Sequence, residues 1–277
     1  MWGLGLLWIA AGAPAAEFQA AQQALGVPPS IAKITDASMA ARERLPEFIL
    51  VQDIHRHAEV QGNIAALLAH GVRHWGLQDI YLEGASANAL IPQTAGFLRS
   101  DMPVQYHGLE DPNVYRDNVS AYEQVEHLRD AALQELETAR LVENSFDMET
   151  EAQAAERWTL LRRLLQLRLK PGEYADYLRT KRALNGNTPL SAAVQAAEEF
   201  YELANERSHI FLENLPTAKT GRPQVIVVGG FHTAAMAEEL KRQGRSYVVL
   251  APRVTQSGYD DLYARSMRDT ISALKLR

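Results

Sequence analysis

Acidic or imidazole side chains stand at or just after the ends of four predicted strands. Asp53 and His55 come directly after one apolar run, Glu83 closes a second, Glu110 follows a third and His232 follows a fourth. Such side chains transfer protons near neutral pH, and they are also common ligands of divalent metal ions. Because ligands bind at the carboxyl ends of the strands in open parallel α/β sheets, these residues predict one chemical site at that edge.

Glu83 is the strongest single indication of a site. It follows the apolar pair Tyr81 and Leu82, and a carboxylate buried there needs a cation, a metal or a hydrogen-bonding partner. Asp53 also has a structural interpretation, because it could cap the following helix or close the turn. One histidine after one strand is usually structural, so the repetition over four strands is what predicts function.

The turn at 229–232, Gly-Gly-Phe-His, has features that suit the binding of a metal ion or an anion. Two glycines allow the chain to leave the sheet tightly and let another group approach the backbone. His232 is predicted in the first turn of a helix, where the macrodipole favours the neutral imidazole that a metal requires. The same turn could bind an anion, although the sequence has no Walker or dinucleotide fingerprint. The absence of a G-x-S-x-G motif argues against a serine hydrolase.

Strands and helices alternate in the parts of the chain that carry these residues. Short apolar runs predict strands at 48–52, 79–83, 103–108, 224–228 and 246–250. Helical spacing follows the first run, with Gly71 as its expected C-terminal stop, and further helices are predicted at 87–99 and 234–243. This alternation predicts an α/β fold with a mostly parallel central sheet flanked by helices.

The stretch from about 113 to 216 has a different character. It is charged and poor in β-branched runs, and leucines at 160–167 mark an apolar helix face that Pro171 is expected to end. A turn at 185–189 precedes another predicted helix that runs to about Asn214. We interpret this stretch as a large all-helical insertion between the third and fourth strands. It is either a packing element with a solvated face or a lid that selects the substrate.

Composition excludes several classes of protein. The chain has 277 residues, of which 47% are hydrophobic and 22% charged, and this supports one domain with a sizeable core. Its net charge is −6 and no region is strongly basic, so we expect no nucleic-acid partner. The lack of cysteine excludes disulfides, thiolate-bound zinc and thiol nucleophiles within this sequence.

The N-terminal residues predict export. Residues 3–11 are apolar, and Ala13-Pro14-Ala15 has the small-x-small form of a signal-peptidase site. We predict a signal peptide at 1–15 and a single α/β hydrolase-like domain at 16–277, located in the periplasm or outside the cell. No basic residue precedes the apolar run, and a retained N-terminus would instead form a buried helix of a cytoplasmic protein. No segment approaches the roughly 20 apolar residues of a transmembrane helix.

Three motifs resemble those of the Tiki, TraB/PrgY, GumN, ChaN and erythromycin-esterase superfamily. That superfamily has a G-x-x-H-type motif after its first strand, a Glu that ends a following strand and a second G-x-x-H late in the chain. Here these positions hold Gln52-Asp53-Ile54-His55, Tyr81-Leu82-Glu83-Gly84 and Gly229-Gly230-Phe231-His232. The similarity covers about 48–115 and 224–255, and it is nearest to uncharacterised bacterial ChaN-like and TraB-like proteins.

The resemblance implies an α/β fold in which His55, Glu83 and His232 converge on one site. Tiki-like members are metal-dependent proteases, erythromycin-esterase members are hydrolases that act through His and Glu, and ChaN is a haem-binding lipoprotein. Two features depart from the pattern: Gln52 replaces the first glycine, and the lipobox cysteine of ChaN is missing. A shared fold does not determine the reaction.

The sequence therefore predicts an exported, metal-dependent hydrolase that cleaves an amide or ester bond in a small-molecule or peptide substrate. His55, Glu83 and His232 are the predicted catalytic metal ligands, Asp53 is a fourth ligand or orients a histidine, and Glu110 is a candidate general base. Two imidazoles and one carboxylate leave a coordination position for water, and Mn, Co, Fe or Zn would suit these donors.

Two alternatives use the same residues. In the first, a histidine activates water without a metal while Glu83 orients the imidazole. In the second, the protein is not an enzyme and binds haem, iron or a small anionic ligand.

Overall fold

The computed structural model describes residues 15–39, 43–86, 97, 101–143, 151–182, 184, 186–217, 221–255, 265 and 267–272. The chain divides into two compact units. Residues 1–112 and 207–268 form the sheet unit, and residues 113–206 and 269–277 form the helical unit. The predicted signal peptide, except Ala15, and the predicted helix at 87–99, except Phe97, lie outside the described residues.

The sheet unit contains one six-stranded sheet. Its strands are β1 (Ala32–Ser38), β2 (Phe48–Asp53), β3 (Asp79–Ser86), β4 (Gln105–Glu110), β5 (Gln224–Gly229) and β6 (Tyr247–Pro252). They are arranged in the order β1-β6-β2-β5-β3-β4, and every neighbouring pair is parallel except β1 and β6. The predicted α/β class and mostly parallel sheet are confirmed.

The placement of the helical insertion needs a correction. Strand β1 precedes all of the predicted strands, so the insertion follows β4 and ends before β5 rather than lying between the third and fourth strands. Sequence reasoning missed β1 because its residues, Ala-Lys-Ile-Thr-Asp-Ala-Ser, include Lys and Asp and form no continuous apolar run. A strand at the edge of a sheet, paired on one side only, tolerates such residues.

The core of the sheet unit lies on both faces of the sheet. Ile49 and Val51 of β2 belong to one buried cluster with residues of α2 (Ala58–His74), and α1 (Ala15–Leu25) contributes to the same cluster. Phe48 and Leu50 belong to a second cluster with residues of α7 (Gly230–Arg242). Side chains alternate between the two faces of a strand, so helices on both faces bury the whole β2 run.

Gly71 does not end the first predicted helix. Helix α2 continues to His74, and Gly71 lies inside it. A Cβ atom at Gly71 would lie 2.6 Å from Cε3 of the Trp75 ring, so this glycine makes room for the indole. The predicted stop was wrong because glycine also serves close packing within a helix.

The helical unit confirms the helical character of the middle of the chain. Its helices are α3 (Pro112–Glu143), α4 (Glu151–Leu165), α5 (Pro171–Thr180) and the first part of α6 (Pro189–Glu213). Pro171 is the first residue of α5, a position where the missing backbone N–H costs nothing, and the leucine-rich helix has already ended at Leu165. Among the described residues, no helix is long and apolar enough to cross a membrane.

Candidate functional site

Asp53 and His55 form a hydrogen-bonded pair at the carboxyl end of β2. Asp53 is the last residue of the strand, and its Oδ2 lies 2.6 Å from Nδ1 of His55. Its Oδ1 accepts a hydrogen bond of 2.6 Å from Nε2 of Gln61 in α2. Asp53 does not cap this helix, because His57 occupies the N-cap position and accepts a hydrogen bond from the Val60 backbone N–H.

The surroundings of His55 favour its protonated form. Burial disfavours a charged imidazole, but the hydrogen bonds and negative charges of Asp53 and Glu83 outweigh that effect and raise the pKa of His55 to about 10. At neutral pH the ring therefore carries a positive charge. Asp53 holds Nδ1, so Nε2 is the nitrogen that faces the rest of the cluster.

Glu83 lies inside β3 rather than at its end. The strand continues to Ser86, its register with β4 shifts between Leu82 and Ser86, and Gly84 has a φ of 77°. Such an irregularity redirects side chains at the rim of a sheet. The predicted end at residue 83 was wrong because Gly84 permits the irregular backbone instead of ending the strand.

The Glu83 carboxylate reaches the adjacent strand β5. Its Oε2 accepts a hydrogen bond of 2.5 Å from the Gly229 backbone N–H. A Cβ atom at Gly229 would lie 3.2 Å from the same oxygen. The close approach that the glycine pair predicted is therefore confirmed at Gly229, where the approaching group is a carboxylate.

His232 completes the central group. It is the third residue of α7, so the prediction that it lies in the first helical turn is confirmed, and 4% of the residue is exposed. Its Nδ1 lies 2.9 Å from the Ser208 hydroxyl, and its ring contacts those of Phe211 and Phe231. Its Nε2 lies 3.4 Å from Oε1 of Glu83.

Glu83 joins the two histidines. The Nε2 of His55 is 3.9 Å from the same Oε1, so both imidazoles face one carboxylate oxygen. Burial would raise the pKa of Glu83, but the neighbouring His232, His55 and Arg207 together hold it well below its usual range. The structure therefore brings together four predicted residues: Asp53, His55, Glu83 and His232.

Arg207 of α6 is part of the site and was missed by sequence reasoning. Its Nη2 lies 3.0 Å from Oε1 of Glu83, and its Nε and Nη2 both donate hydrogen bonds to Glu110. Arg207 follows Ala204 by three residues and precedes Phe211 by four, and both of these are buried. A charged residue on the apolar face of a helix is the signal that would have found it.

Glu110 reaches the central group through Arg207. It is the last residue of β4, it is 6% exposed, and its Oε1 also accepts a hydrogen bond of 3.1 Å from the Gly84 backbone N–H. Glu110 thus contacts Arg207 and the Gly84 backbone, whereas Glu83 contacts the two histidines. Glu110 therefore balances the charge of a buried guanidinium, and as a general base it stays a prediction.

The donor atoms fit a metal ion only in part. Ligands about 2.1 Å from a tetrahedral ion lie about 3.4 Å from one another. The pair His232 Nε2 and Glu83 Oε1 has that separation, but the pair with His55 is longer, and Arg207 already binds the shared oxygen. Within the part of the chain that the structure describes, no group of three or more His, Asp or Glu side chains is placed to hold a metal ion.

The donor set as it stands is thus a network of hydrogen bonds and ion pairs, and it does not fit a metal without rearrangement. Both oxygens of Asp53 and both oxygens of Glu83 already have partners.

Comparison with known proteins adds no further constraint. The chain matches no protein-family model, no curated protein and no solved structure.

Proposed function

We propose that this protein is a hydrolase of carboxylic ester or amide bonds, with His55, Glu83 and His232 acting on water without a bound metal. The observation that carries the proposal is that the Nε2 atoms of two imidazoles face one carboxylate oxygen. Each ring is fixed through its other nitrogen, one by Asp53 and one by Ser208. Catalytic bases and acids are held in this way so that one defined nitrogen faces the substrate.

The two histidines have different partners and therefore different proposed roles. His55 lies between the carboxylates of Asp53 and Glu83, and an imidazole in that position keeps its proton. It would stabilise negative charge on the carbonyl oxygen and then protonate the leaving group. His232 has a hydroxyl partner that can donate or accept, so it can take the proton of the attacking water. That proton then passes through solvent to His55, which has given its own proton to the leaving group, and both imidazoles return to their starting states.

Glu83 and Arg207 support this division of roles. Glu83 orients both imidazoles and would stabilise His232 when it becomes charged. Arg207 binds Glu83 and keeps the buried carboxylate ionised, while Glu110 balances the arginine. A small-molecule or peptide substrate, export of the chain and kinship with the Tiki/TraB superfamily remain part of the proposal.

The test is a matched pair of histidine variants assayed after dialysis against EDTA. His232→Gln should lower the rate of hydrolysis of 4-nitrophenyl esters or of a fluorogenic peptide amide by about 100-fold or more, the usual contribution of a general base. His127→Gln changes an exposed histidine of α3 and should leave the rate unchanged. Equal rates in parent and His232→Gln would contradict the proposed role of His232. Absence of hydrolysis in the parent on a broad panel of esters and amides would contradict the proposed reaction.

A metal-dependent hydrolase is the second candidate, and one observation favours it. Each imidazole presents Nε2 to Glu83 while a second group holds its Nδ1, an arrangement also found around metal-ligating histidines. In this candidate His55, Glu83 and His232 would hold the ion after Arg207 has moved off the shared oxygen. The ion would act as a Lewis acid on the substrate and on water.

Elemental analysis separates the two candidates. About one Mn, Co, Fe or Zn ion per chain, lost in His55→Ala, Glu83→Ala and His232→Ala variants that remain folded, would establish the metal site. Retained activity in EDTA, with no ion bound and no gain in Tm when these ions are added, would exclude it. A haem-binding protein would instead show a new visible absorbance band when reconstituted with haem.

A further inference from the structure

The sheet unit also has a cavity at the carboxyl end of β6. Its volume is about 250 Å³, and it is lined by the start of β1 and by the segment 252–254. The cavity is open to solvent at Lys33 and Arg253, whose side chains are exposed. A volume of this size accepts a carboxylate or a phosphate together with a few carbon atoms.

Among the described residues that line this cavity, the two charged side chains are both cationic. Lys33 and Arg253 line it, and the described residues form no ion pair with either side chain. Glu59 is the described acidic residue bonded to the adjoining segment, and its two oxygens accept hydrogen bonds from the backbone N–H and the hydroxyl of Thr255. Two cations at one concave surface favour an anionic ligand.

The backbone that presents Arg253 is held firmly on both sides. Its N–H donates a hydrogen bond of 2.7 Å to the Ile31 carbonyl. Its carbonyl accepts one of 2.9 Å from the Asn63 side chain in α2. The cationic surface is therefore presented by two fixed strand ends, as a binding site for a defined group requires.

The cavity lies at the same edge of the sheet as the histidine cluster. Strands β2 and β6 are parallel neighbours, and Val51 pairs with Leu250. Continuing this register places Asp53 level with Pro252, and His55 follows two residues later. Adjacent strands are about 4.8 Å apart, so a ligand in the cavity lies within about 10 Å of the end of β2.

We propose that the Lys33–Arg253 cavity binds an anionic group of the substrate, a carboxylate or a phosphate, whose ester or amide bond is then cleaved at His55 and His232. The substrate class is thus an extended ester or amide whose negative charge lies two to three strand spacings, on the order of 10–15 Å, from the scissile carbonyl, because β6 and β2 separate the cavity from the cluster beside β5. The claim that the bound anion belongs to a substrate rests on the proposed hydrolase activity. The anion site itself rests only on the cavity and its two cations.

The first arm of the test measures anion binding without catalysis. Inorganic phosphate and acetate are titrated into the full chain at low ionic strength and followed by calorimetry and by Tm. We expect binding that is weakened at least tenfold in the double variant Lys33→Gln/Arg253→Gln. The variant Lys241→Gln/Arg242→Gln removes the same charge from α7 and should bind as the parent does. Unchanged binding in the first variant, or an equal loss in both variants, would overturn the anion site. Comparison of the two anions identifies which group the cavity prefers.

The second arm measures specificity. The parent should hydrolyse mono-4-nitrophenyl sebacate, whose free carboxylate lies at the far end of an extended chain, or a phosphate-bearing analogue of the same length, with a kcat/KM at least tenfold above that for 4-nitrophenyl decanoate. Lys33→Gln/Arg253→Gln should abolish this preference mainly by raising KM for the charged ester, with the neutral ester unaffected. A preference that survives in the variant would overturn the role of the cavity in substrate binding.

The two arms distinguish failure of the anion site from failure of the hydrolase proposal. His232→Gln should bind phosphate normally, because it does not touch the cavity. If phosphate binding depends on Lys33 and Arg253 but neither ester is cleaved, the anion site stands and the assignment of a substrate is overturned.

Discussion

A cluster of charged side chains in the sheet unit is far more buried than an ion pair in the helical unit. In the sheet unit, the side chains of Arg207, Glu83 and Glu110 are 6%, 9% and 3% exposed and bind one another. In the helical unit, the ion pair of Arg163 and Glu173 has side chains that are 35% and 28% exposed. Because water screens the second pair and not the first, the first is far more costly to assemble.

This difference in burial indicates that the chain tolerates a loss of folding free energy at the buried cluster. A buried cluster of opposite charges adds little net stability, because the cost of removing the charged groups from water offsets most of their attraction. Strongly shifted pKa values in such a cluster are typical of functional sites. His55 and Glu83 show such shifts, and both lie at the edge of the sheet where ligands bind in this class of fold.

Removing the buried arginine should have the largest effect. Arg207→Met leaves Glu83 and Glu110 without their shared cation, and we expect the free energy of unfolding to fall by about 3–5 kcal/mol. Arg163→Met removes the more exposed cation of the helical unit and should cost about 1 kcal/mol or less. Urea unfolding of both variants measures the contrast. Equal losses would remove the distinction between the two units.

The pH dependence of stability should be next in size. The pKa of His55 is about 10 in the folded protein and about 6.5 in an unfolded chain, so protonated His55 stabilises the fold. That contribution is complete below pH 6.5, and it is lost as the pH rises through about 10. We expect a loss of a few kcal/mol across this window, beyond the change seen in His55→Gln.

Urea unfolding of the parent and His55→Gln from pH 6 to 10.5, in the presence of EDTA, measures this term. Parallel curves for the two proteins would show that His55 is not held as a cation. The same series with His127→Gln in place of His55→Gln serves as the control, since His127 is exposed in α3.

The smallest expected effect concerns the glycine pair. Gly229→Ala places a Cβ atom 3.2 Å from Oε2 of Glu83, so the carboxylate must move by a few tenths of an ångström. We expect a loss of about 1 kcal/mol in stability together with a several-fold loss of hydrolysis. Gly230→Ala meets no atom within 4 Å and should change neither quantity by a comparable amount. Similar behaviour of the two variants would contradict the contact between Glu83 and β5.

The central strands were predictable because their signal is local. β2 and β5 are continuous apolar runs buried on both faces, and each strand extends one residue beyond its predicted range. The boundaries of β3 and β4 were less accurate, because Gly84 and Gly108 do not end the strands. A Cβ atom at Gly108 would lie 2.4 Å from backbone atoms of Ala85 and Ser86, so the two strands approach closely there.

Four residues of the candidate site could be predicted from the sequence, but the hydrogen bonds and ion pairs that join them to α6 could not. Asp53, His55, Glu83 and His232 were recognised because each stands near the end of a strand. Arg207 and Ser208 lie on α6, more than 90 residues along the chain from Glu110, and no local pattern relates them to a strand end. The contacts that fix the charge of Glu83 and the orientation of His232 therefore required the tertiary structure.

The sequence by itself determined the kinds of chemical group available and the side of the sheet on which they lie. Alternating strands and helices make a parallel sheet, and in a parallel sheet the strand ends carrying these groups meet at one edge. Only the tertiary structure decided that β5 lies between β2 and β3, which places the three strand ends side by side so that Glu83 approaches both His55 and His232. Strand order depends on pairing between segments distant in sequence, and the burial of Arg207 depends on how α6 packs against those strands.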